Sequence, residues 1–64
     1  MDYEIGSKLK KYRNEASLTQ EKLAERAGLS LRHIQSIEDN SRTPSIKTLS
    51  VIAKVLQKSI KAFF

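Results

Sequence analysis

LTQEKLAERAGLSLRHIQSIED, residues 18–39, decides the fold. Two short runs of helical apolar spacing meet there at one glycine. Leu23, Ala24 and Ala27 share one side of a helix over Gln20–Ala27, and Ile34 and Ile37 share one side of another from about Leu31 to Asp39. Thr19 and Ser30 stand just before these helices, where a side-chain oxygen accepts a free backbone N–H of the first turn. Leu18 with Leu23, and Leu29 with Ile34, have the spacing of hydrophobic staples, which fix the entry angle of each helix. Gly28 occupies the place where a helix end favours a left-handed residue. The stretch predicts a rigid corner rather than a hinge, and it leaves Arg32, Gln35 and Ser36 with no apolar surface to cover.

The rest of the chain reads as helices around that corner. A first helix is expected to begin after Asp2, whose carboxylate caps it, with Glu4 near the positive end of the helix dipole. Ile5, Leu9, Tyr12 and Ala16 form its buried stripe, while Lys8, Lys10 and Lys11 face solvent. Asn40 tolerates the left-handed conformation and ends the third helix; Ser41, Arg42, Thr43 and Pro44 make a polar loop. Ser45 caps a fourth helix with Ile46, Leu49, Ile52, Ala53 and Leu56 at helical spacing, its apolar face widened by Val51 and Val55. A last short helix is expected over Ile60–Phe64, after Ser59. The fold class is therefore all-α, a five-helix arrangement in a single domain over residues 1–64, with the corner at about 19–39.

Composition narrows the functions open to such a chain. Its 64 residues make a large catalytic cavity improbable, because a chain of this size buries only roughly 60% of its unfolded surface. With no cysteine there is neither a disulfide framework nor a thiolate metal site, and His33 is the only histidine. No paired general acid and base, activated nucleophile or phosphate-binding glycine loop is present, so neither catalysis nor a cofactor or small-molecule ligand is expected. The start, MDYEIGSKLK, lacks a signal-peptide core, and no stretch approaches the roughly 18 apolar residues of a membrane span. A soluble, cytoplasmic protein is the expectation. Twelve Lys and Arg against seven Asp and Glu give a formal charge of +5, which favours an anionic partner, nucleic acid first.

Leu23, Ala24, Ala27, Gly28, Leu29, Ile34 and Ile37 have, in order, the spacing of a known corner. The chain resembles the lambda and 434 repressor and Cro-like helix-turn-helix family of xenobiotic-response-element type regulators, over nearly all of its length. Ala24 is small where the third helix crosses it, and Gly28 makes the turn. With Ile34 and Ile37 turned inward, the outward face of the third helix suits the major groove of B-form DNA. The resemblance assigns base reading to Leu31, Arg32 and Ser36, with Gln35 on the same face. Arg32 is the strongest reader, since its fork can donate twice to guanine O6 and N7. Leu31 departs from the Gln of several relatives, so their target sequences do not carry over.

The same resemblance gives Gln20 a DNA phosphate, which the start of the second helix would also favour. Thr19, His33, Asn40, Ser41, Arg42, Thr43 and Lys47 are the further phosphate candidates. Relatives commonly join the first and third helices by an ion pair, here Arg13 with Glu38, which would hold the third helix against the scaffold. The implied function is a sequence-specific double-stranded-DNA-binding transcriptional regulator with repression as its sign. It would bind a near-palindromic site as a homodimer, with recognition helices about 34 Å apart. Val51, Val55, Ile60, Phe63 and Phe64 are the candidate dimer surface. A restriction–modification controller or an antitoxin would share these features, a protein-interaction module that does not read DNA is a rival of another class, and membership of a longer protein stays open.

Overall fold

In the computed structural model, residues 4–64 are described, and they form α1 (Ile5–Glu15), α2 (Gln20–Ala27), α3 (Leu31–Glu38), α4 (Ile46–Val55) and a final 3-10 helix (Ile60–Phe63). No strand occurs among them. The all-helical class holds, with four α-helices rather than five. The last element is too short for a run of α-type bonds: Ala62 N donates to Ser59 O and Phe64 N to Lys61 O, each three residues back.

Local chemistry explains where most elements start. Thr19 Oγ1 accepts from Lys22 N at 3.0 Å, Ser30 Oγ from His33 N at 3.0 Å, Ser45 Oγ from Thr48 N at 3.1 Å and Ser59 Oγ from Lys61 N at 3.2 Å. Each satisfies one of the orphan N–H groups of a first turn. α1 differs. The expected cap, Asp2, lies outside the described residues, and Glu4 stands at the cap position of α1 without a side-chain cap bond, rather than in its first turn.

All four α-helices end alike. Ser17, Gly28, Asn40 and Gln57 adopt left-handed backbone at φ 58°, 69°, 62° and 56°. The next residue in each case turns back to the last turn: Leu18 N to Arg13 O, Leu29 N to Ala24 O, Ser41 N to Ser36 O and Lys58 N to Ala53 O. These are Schellman closures. Ser17 and Gln57 carry no sequence signal for them, and α3 itself stops at Glu38 with Asp39 as its cap residue.

The core is one cluster drawn from every element. Leu9, Leu23, Ile34, Ile37, Leu49, Ile52 and Phe63 are fully buried, with Ala24, Ala53 and Leu56 beside them. Leu18 and Leu29 pack partly buried against the cluster, as do Ile5, Tyr12 and Ala27. Ala16 does not belong to the buried stripe: it follows α1, at the Schellman turn, and is exposed. Ile46 is 62% exposed, because the first residue of α4 lies to one side of the arc set by Leu49, Ile52, Ala53 and Leu56. Tyr12 fastens the final turn to α1, donating its hydroxyl to Ala62 O at 3.0 Å and meeting Phe63 edge-on at 5.3 Å between centroids. Lys58 Nζ lies 4.8 Å from the centroid of the same ring, close enough for a cation–π contact.

Candidate nucleic-acid interface

α3 owes its two-sidedness to Ile34 and Ile37, both fully buried. That orientation leaves Leu31, Arg32 and Gln35 exposed and Ser36 half-buried on the other side. Eight residues give α3 a length of about 12 Å, comparable with the width of the B-DNA major groove. Leu31 is 38% exposed at the start of this face.

Two arginines line a cleft beside that face. Ser30, Arg32, His33, Ser36 and Arg42 line a shallow cleft of about 140 Å³. Arg42 reaches it because the chain doubles back after α3: Ser41 N, Ser41 Oγ and Arg42 N all donate to the Ser36 carbonyl oxygen, at 3.0, 3.2 and 3.1 Å. Asp39 Oδ1 accepts from Ser41 N at 2.8 Å, and hydrogen bonds from Ser41, side chain first and backbone second, hold the Asp39 carboxyl below its usual value. The turn therefore fixes where Arg42 sits relative to Arg32. Thr43 and Lys47 are exposed farther along, on either side of the Ser45 cap.

Behind the face lies a buried ionic knot. Arg13 Nε donates to Glu38 Oε2 at 2.6 Å and Arg13 Nη2 to Glu38 Oε1 at 3.2 Å, a bidentate pair with side chains only 10% and 4% exposed. Arg13 Nη1 also donates to Leu18 O at 2.6 Å, tying in the residue before the α2 cap. Gln20 Nε2 donates to Glu38 Oε1 at 3.0 Å. The starts of α2 and the end of α3 are thus held by the same carboxylate. Among the described residues no buried side-chain nitrogen or oxygen lacks a partner.

These bonds bear on the phosphate candidates. Gln20 spends one amide N–H on Glu38 and keeps a second donor, while the Thr19 oxygen that caps α2 keeps its hydroxyl hydrogen. Asn40 Oδ1 accepts from Gly6 N at 3.1 Å, leaving Nδ2 as its donor. His33 is half-buried in the arginine cleft. No group of three or more His, Cys, Asp or Glu suited to a metal ion occurs among the described residues.

The candidate dimer surface needs a correction. Phe63 is fully buried and belongs to the core, where it meets Tyr12 edge-on, so it is not available to a second chain. Val55 and Ile60 are half-buried against the core, and Val51 and Phe64 are 39% and 51% exposed.

Sequence reasoning missed Gly6 and the second partner of Gln20. Gly6 is buried against the last turn of α3. Its signal was a glycine within the amphipathic pattern of the first helix, where a glycine suggests close packing.

The pattern of the helix-turn-helix family HTH_3 matches residues 9–63. The chain belongs to that family. Family relatives include the HTH-type transcriptional regulator SinR of Bacillus subtilis, 40% identical over 57 residues, covering 88% of this chain and 51% of SinR. Control protein C.SmaI of Serratia marcescens is 38% identical over 56 residues, covering 88% of this chain and 67% of the relative. The fold also matches the crystal structure of SinR, the master regulator for biofilm formation, in complex with DNA, with a TM-score of 0.89 at 37% identity, covering 92% of this chain and 95% of that one. This chain spans about half the length of SinR itself. No helix among the described residues is long and apolar enough to cross a membrane.

Proposed function

We propose that residues 1–64 are one DNA-binding domain of a cytoplasmic, sequence-specific transcriptional regulator that represses by occupying double-stranded DNA. The observation that carries this reading is the bare face of α3, with Arg32, Gln35 and Ser36 beside a cleft that Arg42 shares. Two arginines at one polar cleft suit an anionic partner. Arg32, with Leu31, Gln35 and Ser36, reads base edges in the major groove. Thr19, Gln20, His33, Asn40, Ser41, Arg42, Thr43 and Lys47 hold phosphates, which orients α3 without reading sequence. Two copies, joined through Val51, Val55, Ile60 and Phe64, set their recognition helices about 34 Å apart on a near-palindromic operator. The likeness to a SinR structure in complex with DNA supports the reading.

Selection from a randomised duplex library at fixed salt tests it. The expected result is a near-palindromic winner, for which Arg32→Ala costs about 1–3 kcal/mol of binding and relaxes a guanine preference. Lys47→Ala is expected to weaken all duplexes alike and to lower the salt slope by about 1. Enrichment of no sequence, with binding that only fades as salt rises, would leave a nonspecific basic surface and overturn the reading.

A second reading, a controller protein of a restriction–modification system, is favoured by the likeness to Control protein C.SmaI. It uses the same interface. A selected operator lying upstream of a linked endonuclease gene would decide for it.

A further inference from the structure

α1 meets the end of α3 at two places. Arg13 reaches Glu38, and seven residues earlier the Gly6 amide donates to Asn40 Oδ1 at 3.1 Å. A Cβ on Gly6 would press on the Ile37 carbonyl oxygen and lie 2.7 Å from both the Glu38 carbonyl oxygen and Asn40 Oδ1. The start of α1 therefore rests directly on the backbone of the last turn of α3. Since Glu4 makes no side-chain cap bond, Asn40 supplies to α1 the oxygen that Thr19, Ser30 and Ser45 supply to α2, α3 and α4. The backbone of Asn40, at φ 62°, meanwhile belongs to the turn that closes α3. One residue thus ends the third helix and caps the first.

We propose that Asn40 is a positioning residue for α3, acting through Gly6 and α1, and that this role of its Oδ1, separate from any phosphate contact by its Nδ2, is its contribution to reading sequence. The inference rests on the DNA-reading function proposed above. One contact between two helices leaves a pivot. The second, about 10 Å farther along α1, removes it. Because base readers must be held to within about 0.5 Å, a pivot at the end of α3 would blur which base edges Arg32 and Ser36 meet. The contact with Gly6 uses only the side-chain oxygen of Asn40 and leaves its Nδ2 as a donor, so a phosphate contact would not displace it.

Two variants separate the roles. Asn40→Gly keeps a residue suited to left-handed backbone and removes the oxygen; Asn40→Asp keeps an oxygen in place. The measurement is the ratio of affinities for the selected duplex and an unrelated duplex at one salt concentration, with amide exchange of Gly6 in the free protein followed by NMR. Asn40→Gly is expected to lower the ratio about five-fold, the equivalent of one lost helix cap, and to speed Gly6 exchange by a similar factor. Asn40→Asp is expected to preserve the ratio and slow exchange at Gly6, although its charge weakens binding to both duplexes alike. If Asn40→Gly leaves the ratio intact and weakens both duplexes alike, with the salt slope unchanged because the lost amide is neutral, Asn40 acts only as a phosphate ligand and the proposal is overturned. If the unmodified protein prefers no duplex, the functional reading falls, and the positioning role in DNA reading falls with it. Gly6 exchange then judges the cap separately: no change in Asn40→Gly would overturn the cap as well.

Discussion

The α2–α3 corner and the α1–α3 joint each depend on a glycine, for opposite reasons. Gly28 adopts φ 69°, and a Cβ there would meet nothing within 4 Å beyond its chain neighbours. Gly6 lies inside a helix, where any residue fits the backbone, but a Cβ has no room. One glycine is required for its conformation and the other for its lack of bulk. The corner is built from bonds between residues three to five apart, such as Lys22 N to Thr19 Oγ1 and Leu29 N to Ala24 O. The joint is built from bonds that span 34 and 25 residues. Neighbours in sequence make the corner, and distant residues hold it at its angle.

Five substitutions would break or sharpen this contrast. Glu38→Ala should have the largest effect, about 3 kcal/mol in urea unfolding, because it strands the buried Arg13 and releases Gln20. Glu25→Ala, at an exposed pair with Lys22, should stay within about 0.5 kcal/mol, and equal costs for the two would mean that the buried knot adds nothing. Gly6→Ala should cost about 2 kcal/mol through overpacking at the joint. Gly28→Ala, a purely conformational change, should cost about 1 kcal/mol by the same measurement. Should Gly28→Ala prove the costlier, the joint has slack that the geometry does not show. Gln57→Gly should stabilise by about 0.5 kcal/mol, seen as a small rise in Tm, since it relieves a side chain held at φ 56°.

The contrast also accounts for what could be read from the chain alone. Thr19, Gly28 and Ser30 act on residues a few places away, so the corner was legible from spacing and turn chemistry. Asn40 was legible as a left-handed residue but not as the cap of α1, because its partner lies 34 residues back. Ser17 and Gln57 were illegible as helix ends, since their left-handed conformations are imposed by packing rather than by their own preferences. Phe63 shows the limit of apolar pattern: four residues after Ser59 define no helical face, and only Tyr12 settles that the ring points inward. In the candidate interface, the inward Ile34 and Ile37 made the face of α3 readable. The gathering of Arg42 with Arg32 and His33 depends on the turn anchored at the Ser36 carbonyl oxygen, which no periodicity announces.

Where Gly6 meets the carbonyl oxygens of Ile37 and Glu38, the partially positive start of one helix rests on the partially negative end of another. Each pole carries roughly half an elementary charge, so the two offset each other inside the molecule. The opposite pole of α3 follows the corner with α2 and lies at exposed Leu31 and Arg32. Part of any attraction for an anion at the tip of α3 would be carried by peptide groups. It would survive the removal of any one basic side chain, and would be lost only if α3 itself unwound.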